Sequence, residues 1–271
     1  MEKVIAINKK EKLDKYKMFD SYLLVNKNFS SFHEYGLSNK DCINLVSKIH
    51  ENKKKAYVLI DRVFFNDDLN KLKKFIKELE KYNCDGYYFS DLGVYELFKE
   101  KNLQSKLIYF SQTQIVSTME LDSFLSLGIK TVFVSKDLPF KSLSNYQNND
   151  KVGIVCFGYK NLFYSRRKLL SSYNDEYGLK KYSSKSKYLI REQKRQQKNI
   201  IFEDKYGTYI FTDYIENHIN EIEKFDSLGI KTILFDDNFV EEELMDKVIN
   251  YLSFPKEKYF LDSKEKDTYE E

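Results

Sequence analysis

Short apolar runs alternate with amphipathic helical stretches along the 271-residue chain, and this alternation predicts an α/β fold, a (β/α)8 TIM-like barrel. The runs number eight: Val4–Asn8, Tyr22–Asn26, Ala56–Asp61, Gly86–Asp91, Lys106–Gln112, Thr131–Lys136, Gly153–Gly158 and Thr232–Asp236. Between them lie helical patterns at Lys40–Asn52, Asp67–Tyr82, Val94–Lys101, Thr118–Leu127, Ile215–Leu228 and Glu241–Leu252. Leu69, Leu72, Phe75, Ile76 and Leu79 mark one apolar helix face. A six-residue echo supports the same plan. Ser126–Thr131 recurs letter for letter as Ser227–Thr232, each time with a glycine where a helix ends and a strand begins. Tyr82–Gly86 is a looser third version. A doubly wound open sheet has a similar alternation, but eight strands favour the barrel.

Two stretches break the rhythm. Phe163–Tyr173 reads as a helical insertion after the seventh strand, and Asn199–Thr212 as a hairpin turning at Asp204-Lys205-Tyr206-Gly207. Between them Lys180–Lys198 is basic and polar. The predicted organisation is one barrel domain over 1–255, with an insertion at 160–212, and a charged tail over 256–271.

Composition narrows the function classes. Hydrophobic residues make up 42% and charged residues 32%, an ordinary mixture for a chain with a packed core. No apolar run is long enough to span a bilayer, and the first residues lack the apolar core of a secretory signal. Cys42, Cys84 and Cys156 are odd in number and far apart, which fits neither a disulfide framework nor a CxxC metal site. A reducing cytoplasm, with no membrane partner, is the expected setting. The net charge of +3 is too small to identify a nucleic-acid binder by itself. The arginines are more informative, because four of the five (Arg166, Arg167, Arg191, Arg195) fall in one short region.

In a barrel, the C-terminal strand ends carry the chemistry. Asp61, Asp91, Gln112, Gln114, Lys136 and Asp236 fall at or just past such ends, and Asp61, Asp91, Gln114 and Asp236 are the candidate catalytic or ligand-lining residues. Equally, an Asp there can simply cap the following helix, as Asp67 or Asp91 would. The arginine cluster, with Lys168 and interleaved tyrosines such as Tyr164, is the candidate RNA surface: cations for phosphates, rings for unstacked bases. It equally describes a solvated basic face or a site for an acidic partner. His33, His50 and His218 show no metal-ligand spacing, so no metal is expected. Neither a Gly-x-Ser-x-Gly elbow nor a serine–histidine arrangement is present, and nothing identifies a peptidase nucleophile.

Residues Phe157–Ser171 resemble the signature of the peptidase U32 family, often labelled collagenase-like, whose pattern is approximately His-Gly-x-x-Cys-x-x-x-Ser-Gly-x-Cys-x-x-Ser. Other pieces fall in the family's order: His50 to Val58, Asp91-Leu92-Gly93-Val94, Thr113-Gln114, Lys136-Asp137-Leu138 and Glu203–Ile210. The departures are specific. Phe157 stands at the signature histidine, Asn161 and Lys168 at its cysteines, and Arg166 at its second glycine; no cysteine follows Cys156, and the family's late Lys-Ile-acid-Gly stretch is Leu234-Phe235-Asp236-Asp237. The resemblance therefore points to the short, cysteine-poor branch, without the iron–sulfur cluster that four-cysteine members are thought to carry. It implies pyrimidine hydroxylation in tRNA or rRNA, as a partner-dependent or accessory subunit beside a cysteine-bearing relative, with no cofactor of its own. The other readings are a U32-type peptidase or hydrolase using the mouth carboxylates, and a non-catalytic interaction module.

Overall fold

A computed structural model gives the protein's structure and describes residues 1–253, apart from 32, 34, 112–114, 136–137 and 184–185. In chain order the strands and helices are β1 (Glu2–Ile7), α1 (Lys12–Lys15), β2 (Ser21–Val25), α2 (Asn39–Glu51), β3 (Lys55–Ile60), α3 (Asn66–Glu80), β4 (Gly86–Phe89), α4 (Leu92–Lys99), β5 (Leu107–Tyr109), α5 (Thr118–Leu125), β6 (Thr131–Val134), α6 (Phe140–Ser144), β7 (Val152–Ser165), α7 (Leu169–Glu176), β8 (Lys187–Ile190), β9 (Asn199–Asp204), β10 (Gly207–Asn217), α8 (Ile222–Ser227), β11 (Thr232–Asp236) and α9 (Glu242–Ser253). Strands β1 to β7 and β11 run parallel, and β11 pairs with both β1 and β7, so the sheet closes into the predicted eight-stranded barrel.

Alternation along each strand divides the apolar residues between two cores. Val4, Ala6, Leu23, Val25, Tyr57, Leu59, Tyr88, Ile108, Phe133 and Leu234 fill the interior. Their neighbours, such as Ile5, Ile7, Leu24, Val58, Ile60 and Phe89, face outward into the larger core beneath the helices. At 25 cal/mol per Å², each fully buried side chain of this size contributes about 1.5–3 kcal/mol.

The echoed helix ends share one geometry. Gly128 and Gly229 adopt φ of 80° and 86°, while Lys53, Asn83 and Asn102 take the same left-handed region at φ of 57°, 54° and 54°. The amides of Lys54, Leu103 and Ile230 reach back to the carbonyls of Ile49, Phe98 and Phe225, the six-to-one bond of a Schellman end. Helix starts are equally local: Ser38 and Asp41 form a capping box on α2, and Ser117 caps α5.

The structure corrects the insertion. The stretch from Phe163 is not helical at first, because β7 leaves the barrel at Gly158 and continues as a strand to Ser165, pairing antiparallel with β10. Gly158 has φ of 146°, and a Cβ there would stand 2.9 Å from the Asp236 carbonyl oxygen, so glycine allows β7 to turn away beside β11. Helix α7 begins only at Leu169, where the amides of Leu170 and Ser171 donate to the fully buried carboxylate of Glu203, and Leu169 donates to the Thr208 hydroxyl. This cap comes from a distant strand and leaves no local sequence signal. Likewise, the helix predicted from Ile215 begins only at Ile222, because β10 runs through Asn217. The predicted hairpin is present as β9 and β10, and β8 adds a strand inside the basic stretch.

At the hairpin, Asp204 accepts from the amides of Tyr206 and Gly207, and a side chain on Gly207 (φ 153°) would collide with the Ser165 carbonyl and the Arg166 backbone. Gly207→Ala is expected to destabilise the protein by roughly 2–4 kcal/mol in urea unfolding, whereas Gly178→Ala, with open space around it, costs about 1 kcal/mol or less.

Candidate functional site

The barrel's C-terminal mouth holds a cavity of about 160 Å³. Phe110, Phe133 and Leu234 form apolar parts of its wall; His33, Asp61, Lys160, Asn161, Glu216 and Asp236 supply polar and charged groups.

The segment between β2 and α2 positions much of this wall. Asn26, fully buried, anchors it by accepting from the amides of Asn28 and Phe29 and donating to Asn39 and Cys42. The segment then crosses the mouth. Ser31 donates its amide to Asp61 Oδ1 at 2.8 Å, and His33 Nε2 reaches Asp236 Oδ2 at 3.0 Å. His33 Nδ1 lies 2.9 Å from the Ser31 carbonyl oxygen. A carbonyl only accepts, so Nδ1 carries a proton; Nε2 faces a carboxylate and carries one too. The ring is therefore an imidazolium whose donors are both engaged.

The electrostatics follow from this arrangement. Burial opposes the charge on His33, but the carboxylate of Asp236 and the Ser31 carbonyl outweigh it and push the imidazole up to about 9. Burial opposes ionisation of Asp236 too, yet the His33 charge holds it below its ordinary value. Asp61 is only 1% exposed, and burial pushes it up to about 6 despite the Ser31 amide. At neutral pH the site thus holds an ion pair and a buried carboxylate that is easily reprotonated. On the opposite wall, Lys160 Nζ lies 4.0 Å from Glu216 Oε1 at the irregularity where β10 shifts register against β7.

The predicted site residues separate in the structure. Asp61 and Asp236 meet in the cavity wall. Asp91 does not join them: Oδ1 accepts from Gly93 and Oδ2 from Phe64, so it is the helix cap of α4 and a tie to the preceding loop. Gln114, with Gln112 and Lys136, lies outside the described residues. Tyr164 stacks on Tyr209, ring centroids 5.1 Å apart, in a ladder that continues to Phe202. Arg166, Arg167, Lys168, Arg191 and Arg195 are exposed on the strand-and-helix extension, Arg195 paired with Glu192 at 3.1 Å.

Sequence reasoning missed His33, Lys160, Glu216 and Arg62. The Arg62 guanidinium is buried and pairs with Asp68 at 3.0 Å, lying 4.0 Å from the Tyr206 ring centroid. Tyr206 in turn donates to the Asn28 carbonyl at 3.0 Å, so the hairpin is clamped onto the mouth. The only available signal for Arg62 was its place directly after a strand-end aspartate.

These features define a (β/α)8 barrel whose mouth is roofed on one side by a cationic antiparallel extension. The chain belongs to peptidase family U32, whose pattern matches residues 20–271. It is similar to a tRNA hydroxylation protein P2 of Bacillus subtilis (24% identity over 205 residues, 73% of this chain and 66% of that protein). It also resembles an uncharacterized protease of Methanocaldococcus jannaschii, at 26% identity over 143 residues. That match spans 50% of this chain and 34% of the relative, so the chain covers less than two thirds of either relative's length. A solved U32 peptidase structure shares the fold, with a TM-score of 0.54 at 11% identity, over 87% of this chain and 92% of that one.

The residues present do not fit a cluster ligated by four thiolates. Cys42 lies on α2, Cys84 precedes β4 and Cys156 lies on β7. All three are buried, and burial pushes the Cys42 and Cys84 thiols up to about 12 and the Cys156 thiol higher. Among the described residues, no group of three or more His, Cys, Asp or Glu side chains forms a metal-holding set.

The site makes a pH prediction. His33 titrates higher in the folded chain than in the unfolded one, so its stabilisation is complete below about pH 6.5 and is lost as pH rises through about 9. Urea unfolding is expected to show a loss on the order of 2 kcal/mol over that window, absent in His33→Asn. Asp61 is also raised, so it too costs stability as pH rises, but over a lower window that ends near pH 6, because the unfolded chain ionises this carboxyl before the folded one does. Asp61→Asn is expected to raise stability at pH 8 by about 1–2 kcal/mol; a loss would contradict the burial account.

Proposed function

We propose that the chain serves in hydroxylation of a pyrimidine in tRNA or rRNA, its mouth cavity receiving one unstacked base and its cationic extension holding the flanking phosphates. The observation that carries this reading is the placement of a largely apolar cavity, with a few charged groups in its wall, directly beside the arginine-bearing extension. A pocket of about 160 Å³ has room for one planar ring. The name of the Bacillus subtilis relative agrees with this substrate class.

Each group then has a role. Asp61, ionised above about pH 6, accepts a hydrogen bond from a ring N–H or takes up a proton released at the base. The His33–Asp236 pair fixes the wall and supplies charge without donating its proton. Tyr164 supports the roof through its stack on Tyr209, while Arg166, Arg167, Lys168, Arg191 and Arg195 meet phosphate. With no thiolate set of its own, the chain works as a partner-dependent or accessory subunit beside a cysteine-bearing relative in the cytoplasm. The hydrolase alternative lacks comparable support. Both His33 ring nitrogens are engaged as donors, so the imidazolium has no lone pair with which to activate a hydroxyl.

Nucleoside mass spectrometry of bulk tRNA and rRNA tests the proposal. Deleting the gene should remove a hydroxylated pyrimidine that wild-type cells contain. Plasmid-borne wild type should restore it, and Asp61→Asn should restore less than a tenth. Unchanged RNA in the deletion strain would remove the proposal.

A further inference from the structure

We propose that Phe65 and the Arg166 guanidinium lying on it form a stacking platform for the nucleobase next to the one held in the mouth cavity, on a single-stranded RNA. This deepens the RNA reading and rests on it. The guanidinium carbon stands 3.5 Å from the Phe65 ring centroid, the tightest such contact among the described residues. Phe65 is nevertheless 59% exposed, and Arg166 is exposed as well. A planar cation and an aromatic ring from two distant elements, the start of α3 and the end of β7, are thus layered together at the surface.

The chain between Asp61 and Phe65 ties this stack to the cavity. Asp61 points into the wall, Arg62 turns inward between Phe64 and Tyr206, and Phe65 emerges at the rim. Four residues reach at most about 14 Å, so the stack and the cavity lie close enough for one RNA strand to meet both. The buried ion pair of Arg62 with Asp68 and the tie from Tyr206 to Asn28 hold both ends in place. The platform is preorganised. Charge selects the occupant: Arg166, Arg167 and Lys168 are consecutive cations, which suits a phosphate-linked base. Guanidinium and aromatic planes are the two side-chain surfaces on which unstacked RNA bases rest.

The chain contains no tryptophan, so its fluorescence background is favourable. The probe is a short uridine-containing RNA in which 2-aminopurine follows the uridine. Wild type should bind it at low salt and change the 2-aminopurine emission as the base stacks. Phe65→Ala should abolish that change and weaken binding roughly tenfold, with the salt dependence unaltered. Phe65→Trp should bind like wild type and show quenching of its single tryptophan. Arg166→Lys, which keeps the charge but loses the plane, should behave like Phe65→Ala. An unchanged affinity and full 2-aminopurine response in Phe65→Ala would overturn the platform while leaving the RNA reading intact. Failure of wild type to bind this RNA and bulk tRNA at low salt would overturn both.

Discussion

The ion pair between His33 and Asp236 is the constraint on which the mouth of this barrel depends. It joins the segment after β2 to the end of β11, two strands that are not neighbours in the sheet, and so draws a polar loop across the end of β1. The same segment accepts the hairpin tyrosine at Asn28 and donates to Asp61 from Ser31. One partly buried charge pair therefore sets the position of the loop, the carboxylate and the roof together. With one partner removed, the other would be left charged in a desolvated wall, which is far more costly than losing an exposed pair.

The second constraint is the exit of β7 from the barrel. Its first half belongs to the parallel sheet and its second half to an antiparallel one, and Gly158 lies at the change because Asp236 leaves no space for a side chain. The cavity, the cationic extension and the ion pair meet at this point. The residues that resemble the family signature thus serve a geometric purpose. Asn161 lines the cavity and donates to the Phe163 and Ile210 carbonyls across the irregular pairing.

Much of the barrel was legible because its signals are local. Apolar alternation marks the strands, and glycine or asparagine at helix ends marks each return to the sheet. Asp61 and Asp236 were legible as strand-end acids. Asp91 shared that pattern and proved to be a cap, since sequence position does not reveal which amides a carboxylate meets. His33 was invisible for the opposite reason: its partner lies 203 residues away, and nothing around it distinguishes it from a surface histidine. The second half of β7 was misread because its pairing with β10 and the Glu203 cap on α7 are both long-range.

Photo-crosslinking with tRNA carrying 4-thiouridine tests the central claim most directly, because it reports where on the chain an RNA base rests. The account predicts crosslinked peptides from residues 61–65 and 158–168, lost when excess unlabelled tRNA competes. Crosslinks confined to the outer faces of α2 to α5, from an RNA that demonstrably binds, would contradict it.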